Sequence, residues 1–487
     1  MGDAEQSPLT VTLRVPSSQS PVSLTLTANS LLIKGSNLQH VPLLHVLKAH
    51  FDPESRILNV AYLAERGGKK HSPLVNIEGK VEDGNAVSTT ASWAENVLQA
   101  CYEGLSVERS RRLLVFVNPH GGTKKAVSIF VKVVEPIFRA AGCGLDVIYT
   151  THQGHAYEVV KESPLEYAAI ITVSGDGLIH EVINGLSHHG NPIKALSTPV
   201  APIPAGSGNG LSLNLLGIKD GFDVGLAALN VIKGRPMKVD LFSMTQGGKR
   251  SLSFMSQALG LMADLDLGTE HLRWMGDTRF MVGLLKGIAQ LKPCPIQLSF
   301  KVAETDKHKM AEHLVTSRKE FEKDNISGSL PSNSITKMPE RSALPPLNYL
   351  PDDADGWTSF NEPLIYVYAG KGPYVGRDFM AFPVSLPNDG LIDVSVMPLS
   401  PRMDILAAIS GAAEGENYWK SSIKYVKAHA YRVKPLKPKG NLSVDGESFP
   451  FEEFQVEVHQ GLGRFLSMYG QYAVDFASQN PASGQFD

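Results

Sequence analysis

Asp176 stands between two glycines in the run Ser174-Gly175-Asp176-Gly177. An apolar run ending at Val173 precedes it, and a helical pattern with Ile179, Val182, Ile183 and Leu186 on one face follows at once. A second glycine-rich turn, Gly206-Ser207-Gly208-Asn209-Gly210, comes after the apolar run VAPIP and opens toward another helix. Exposed N–H groups of such turns, placed where a helix begins, attract anions, so two of them suit a polyphosphate. A carboxylate beside that cradle can take a proton from a hydroxyl or hold Mg2+ through water. The chemistry indicated is phosphoryl transfer, which needs positioning and charge stabilisation, so arginines should reach the phosphates. Arg273 and Arg279 lie six residues apart in the helical stretch 264–285, nearly two turns, and can aim at one place. Read alone, Asp176 between glycines is equally a turn former.

The elements that must carry these groups follow from periodicity. From Arg111 the chain reads as an apolar strand, Leu113 to Val117, then a turn with Asn118, Pro119, Gly121 and Gly122, then a long amphipathic helix. No GxxxxGK[ST] can be written there, so it is not a Walker loop. A strand, the turn Thr150 to Gly154 and a helix come next, and the strands ending at Val173 and Ile203 complete a β-α-β-α run. Such a run builds a parallel sheet with every glycine-rich turn on one edge. Before it, residues 9–90 alternate in short segments, and Trp93, Val97, Leu98, Cys101 and Leu105 at helical spacing close them. Strands followed by one helix resemble a pleckstrin-homology-like module, with Arg66, Lys69 and Lys70 as its only basic loop. After Val239 the period shifts toward two, as in an antiparallel sheet. The charged, Pro- and Ser-bearing stretch 301–356 reads as a largely disordered insertion. The expected organisation is a module over 1–107, an α/β unit over 108–238, a β-sandwich over 239–475 and a flexible tail over 476–487.

Composition narrows the setting. A chain of 487 residues with 43% hydrophobic and 20% charged residues is a globular protein of more than one core. A net charge of -3 argues against nucleic acid as partner. Cys101, Cys143 and Cys294 are too few and too spread for a disulfide framework or a zinc site, which fits a reducing, cytoplasmic setting. No secretory signal or membrane-spanning run is visible, and Gln6 stands where a myristoylation pattern wants Ser or Thr. Any membrane contact is therefore expected to be peripheral. The stretch 424–439 gathers Lys424, Lys427, Arg432, Lys434, Lys437 and Lys439, either an anionic-leaflet contact or a plain solvated face.

Taken together, VNPHGGTKKA, TVSGDGLIHEVINGL and PAGSGNGLSLN resemble three signature blocks of the diacylglycerol-kinase catalytic family. The pieces GLMADLDLGTEHLRWMGDTRF and LSVDGE are similar to two further blocks of its sphingosine, or long-chain-base, kinase branch. The resemblance runs from about Arg111 to Tyr472 and implies a Rossmann-like α/β nucleotide domain with a β-sandwich domain. It implies ATP with Mg2+, of unassigned ligands, and a sphingoid base as acceptor. Asn118, Pro119, His120, Thr150, Thr151, His152, Gln153, Gly154, Gly206, Ser207 and Gly208 would then line the nucleotide, with Glu181 fixing that side. Arg273 and Arg279 would contact phosphate, and Asp445, Gly446 and Glu447 would close the site. Asp176 would be the general base, within a substrate contact formed by Ser174, Gly175, Asp176 and Gly177. Asp266 would hold the amine and hydroxyl of the sphingoid head group, with Asp264 as rival. Diacylglycerol or ceramide as acceptor, a soluble nucleotide as in NAD kinases, and a non-catalytic lipid binder are the competing readings. The resemblance leaves a homodimer open.

Overall fold

The computed structural model describes residues 10–474 and 476, apart from 17, 19, 83–85, 123, 269–282, 284–286, 327–342, 351, 352 and 354. The expected tail beyond Phe476 lies outside the described residues, as do Arg273 and Arg279.

The N-terminal segments alternate buried and exposed residues, and so pair as a seven-stranded antiparallel sheet from Thr10–Arg14 to Leu74–Val81. The helix Val87–Cys101 closes it by burying Trp93, Ala94, Val97 and Cys101. This module shares one apolar core with the parallel sheet behind it. Polar ties reinforce the join. Asp223 caps the helix Val224–Lys233 through the N–H groups of Gly225 and Leu226, and the same carboxylate accepts from Ser72 N and Ser72 Oγ. Lys233 donates to the Cys101 carbonyl at 2.7 Å with its ammonium 3.3 Å from the Tyr102 ring centroid.

Four parallel strands follow, Gly144–Tyr149 at the edge, then Arg112–Val117, Ala169–Ser174 and Val200–Pro204. Val117 pairs with Val173 and with Tyr149, and Ser174 pairs with Pro204, so the strands end in register. That register brings all four following turns to one edge. The next neighbour is the long strand Phe454–Ser467, parallel to Val200–Pro204 at Phe465 and antiparallel to Arg235–Gln246 and Lys424–Pro435. One strand therefore carries the sheet from its parallel to its antiparallel half, where Ser256–Gly260, Leu364–Gly370, Ile392–Pro398 and the hairpin Leu442–Val444/Glu447–Phe449 lie. Within the long strand a Cβ at Gly463 would crowd the Leu241 side chain at 3.0 Å, so the glycine serves close strand packing.

The stretch 301–356, expected to be largely disordered, is corrected in part. The strand Ile296–Glu304 runs into it, and Lys307–Ile326 is a helix anchored by buried Met310 and Leu314. Farther on, Asn348 and Tyr349 donate backbone N–H groups to Glu457, and Arg432 donates to the Leu350 and Asp353 carbonyls. Charged composition concealed this because two apolar anchors suffice when they enter a core with Tyr418 and Ile423, and the Tyr418 hydroxyl donates to the Lys307 carbonyl.

Candidate active site

The site forms where three glycine-rich turns press on one another. Asn118 Oδ1 accepts from the N–H groups of His120 and Gly121, both at 3.0 Å, which folds the first turn over its own side chain. Gly122, at φ +52°, leaves only 2.9 Å between a would-be Cβ and Gly206 Cα. A Cβ on Gly175 would come within 2.8 Å of the Gly208 carbonyl, and one on Gly206 would overlap Gly175. Backbone meets backbone here, and no side chain fits between. Asn209 staples the Gly206–Gly208 turn by accepting from Gly206 N at 3.1 Å and donating to its carbonyl at 3.0 Å.

Asp176 is the first residue of the helix Asp176–Ser187 and is buried. Its Oδ2 accepts from Gly210 N at 2.7 Å and its Oδ1 from Leu211 N at 3.2 Å, so it caps the helix Gly210–Asp220. Burial pushes its carboxyl up to about 6; the two amide bonds pull the other way and the Asp445 charge adds to the rise. A carboxyl titrating close below neutrality, beside a phosphate cradle, suits proton abstraction.

A cleft of about 870 Å3 gathers Asn118, His120, Thr150, Thr151, His152, Gln153, Ser174, Gly175, Asp176, Gly177 and Glu181 from the parallel half. Gly206, Ser207 and Gly208 line it as well, and Asp266, Asp445, Gly446 and Glu447 face them from the antiparallel half. Pro119 and Gly154 belong to the same turns without lining it. Glu181 accepts from Ala156 N at 3.2 Å, which fixes the start of the helix His155–Lys161 behind the turn Thr150 to Gly154. Glu447 accepts from Gln153 Nε2 at 3.2 Å, and its Oε1 would meet a Cβ at Gly177 at 2.5 Å, so the two walls touch there.

Asp445, expected to close the site, lines the cleft and is itself held by protein groups. Its carboxylate accepts from Ser253 Oγ and from the N–H groups of Phe254, Met255 and Ser256, and it pairs with His180 Nδ1 at 2.8 Å. At the cleft wall it ties the segment Ser253 to Ser256 to the helix that bears His180. The two rivals lie apart: Asp266 lines the large cleft, whereas Asp264 is exposed, accepts from Asn441 Nδ2 at 2.7 Å and lines a separate cavity of about 150 Å3.

Sequence reasoning missed the opposite wall, formed by Met255, Ser256, Leu267, Tyr368 and Val375. Met255 lies just before the strand Ser256–Gly260, which pairs Ala258 with Tyr368, and only this long-range register unites them. Tyr368 hydrogen-bonds Ser256 and feels the charges of Asp266 and Asp176; burial holds its hydroxyl well above the usual tyrosine value. Among the described residues no cluster of His, Cys, Asp or Glu is built to hold a metal, so no residue is assigned to Mg2+.

Residues 112–244 match the diacylglycerol kinase catalytic domain family. The fold is similar to the crystal structure of a diacylglycerol kinase from Bacillus anthracis str. Sterne, with a TM-score of 0.50 at 18% identity over 74% of this chain and 98% of that one. In sequence the chain is 30% identical to sphingosine kinase 1 of Arabidopsis thaliana, over 74% of this chain and 76% of the relative. It is 32% identical to sphingoid long chain base kinase 4 of Schizosaccharomyces pombe, over 78% of this chain and 80% of the relative. A match of that length and identity, on a chain whose glycine turns and carboxylates share one cleft, shows that this protein belongs to the sphingoid long chain base kinase family.

Proposed function

We propose that this cleft transfers the γ-phosphoryl group of ATP to the primary hydroxyl of sphingosine or a related sphingoid base, giving the 1-phosphate. The observation that carries the reading is one cleft with a glycine cradle on one wall, Asp176 at its base and Asp266 on the facing wall. Asp176 accepts the hydroxyl proton as the oxygen bonds to the γ-phosphorus, and the bond to the β–γ bridging oxygen breaks to release ADP. Asn118, Gly206, Ser207 and Gly208 cradle the phosphates, and Glu447 closes over them from the hairpin. Asp266 pairs with the ammonium of the base, which ceramide and diacylglycerol lack. Leu267, Met255, Tyr368 and Val375 offer the apolar wall along which a long chain leaves the head group. Bound together with ATP, Mg2+ would supply charge neutralisation at the phosphates.

The substrate is an amphiphile, so the reading extends to peripheral contact with a membrane surface. No helix among the described residues is long and apolar enough to cross one. Purified protein with labelled ATP, offered sphingosine, dihydrosphingosine, ceramide and diacylglycerol, tests the acceptor. Labelling confined to the two free bases supports the reading; preferential labelling of diacylglycerol or ceramide refutes it.

A further inference from the structure

His180 lies one turn after Asp176 on the helix Asp176–Ser187, with its side chain only 13% exposed. Its Nδ1 is 2.8 Å from Asp445 Oδ2, in a carboxylate whose side chain is fully buried. Asp445 itself sits at φ +51°, a left-handed conformation that a non-glycine residue adopts at a cost, at the turn between the strands Leu442–Val444 and Glu447–Phe449. One helical turn beyond, Asn184 donates to the Leu252 carbonyl at 2.8 Å and accepts from Leu252 N at 2.9 Å. The Phe449 ring meets the imidazole edge-on with centroids 6.0 Å apart. The helix that bears Asp176 is thus fastened at two points to the half of the sheet that bears Met255, Ser256 and Glu447.

We propose that His180 is a positioning residue: its bond to Asp445 sets the spacing between the Asp176 wall and the Glu447 wall, and its charge offsets that of Asp445 beside Asp176. The inference rests on the reading of Asp176 as general base. Charged groups facing His180 are Asp445 and Glu447 from the hairpin and Glu181 from its own helix. Facing Asp176 are the Asp445 carboxylate and the Tyr368 hydroxyl. Burial works against protonation of His180, yet its hydrogen bond to Asp445 and the surrounding carboxylates hold it above the ordinary histidine value. With the imidazolium gone, the Asp445 charge acts on Asp176 without its counter-charge and makes Asp176 harder to ionise.

Two variants separate the tie from the charge. His180→Asn keeps a donor near the Nδ1 position without the charge, and His180→Leu removes both. Both are assayed as full chains with ATP and sphingosine from pH 5 to 9, beside Asp176→Asn, with thermal melts to check folding. His180→Asn is expected to keep turnover within about threefold above pH 8 while the acid limb of its rate profile moves up by about half a pH unit or more. His180→Leu is expected to lose about tenfold or more in kcat across the range, with the KM for ATP less affected. An acid limb of His180→Asn superimposed on that of the native protein overturns the proposal, as does full turnover in a folded His180→Leu. If His180→Leu does not fold, the profile of His180→Asn decides alone. Retained turnover in Asp176→Asn instead refutes the general base, whereas an inactive Asp176→Asn with an unmoved His180→Asn limb refutes only the role of His180.

Discussion

Asp176 Oδ2 lies 2.7 Å from the backbone nitrogen of Gly210, the first residue of the helix that follows the second glycine turn. The contact makes the carboxylate proposed as general base the cap of the next helix, so Asp176 and the second glycine turn cannot move independently. Burial nonetheless outweighs this amide bond and pushes the carboxyl up to about 6.

Activity should show an acid limb centred near pH 6, because Asp176 must be ionised to take a proton. The same shift bears on stability. Between the ordinary carboxyl value and about 6 the folded protein holds a proton that the unfolded chain releases, so this group lowers stability as pH rises through that window. A pH–rate profile of kcat/KM, with melting temperatures over the same range, checks both signs.

Asp266→Asn should raise the KM for sphingosine strongly, a loss of roughly 2–5 kcal/mol if the pair is desolvated, and leave that for ATP nearly unchanged. Asp264→Asn should be mild, since Asp264 faces Asn441 and the separate cavity. Steady-state kinetics on both variants decide the matter, and the reverse order would move the head-group site.

Gly206→Ala should destabilise the protein by about 1–3 kcal/mol, the usual scale of forced overpacking, because its Cβ has no space against Gly175. Gly208→Ala should melt close to the native temperature, since its Cβ would stand 3.8 Å from the nearest atom, Asp176 Oδ2. Paired denaturation curves test the contrast.

Lys427→Ala should cost about 3–5 kcal/mol, as breaking a buried ion pair does. Lys427 is buried between Asp389 at 2.7 Å and Asp393 at 3.2 Å, and Lys371 links Asp389 to Asp240 in the same network. Arg432 is also engaged, with Gln455 and over the Trp357 ring. Of the basic stretch, Lys424, Lys434, Lys437 and Lys439 remain exposed, and these alone can meet an anionic leaflet. Changing Lys434, Lys437 and Lys439 together to Glu should weaken binding to anionic vesicles at low salt without lowering the melting temperature. Equal binding of the native protein to neutral and anionic vesicles would remove this surface from consideration.

What could be read from the sequence was what local periodicity encodes. The parallel strands, the turns at Asn118, Gly175 and Gly206, and the alternating N-terminal module all announce themselves within a few residues of chain. The Met255 and Tyr368 wall did not, because it depends on the pairing of strands more than a hundred residues apart. His180 was overlooked for the same reason: its partner Asp445 lies 265 residues away. Charge runs misled twice, at 301–326 and at Lys427, where a polar composition hid a helix and a buried ion pair. Composition reports how many charges there are, and packing decides which of them meet water.

The most direct test is transfer of labelled γ-phosphate to sphingosine by the purified native protein and by Asp176→Asn, each verified as folded, with the product identified by its site of phosphorylation. The account predicts sphingosine 1-phosphate from the native protein and a rate lower by at least about 100-fold from the variant. Label on no sphingoid base, or equal rates from the two proteins, would contradict it.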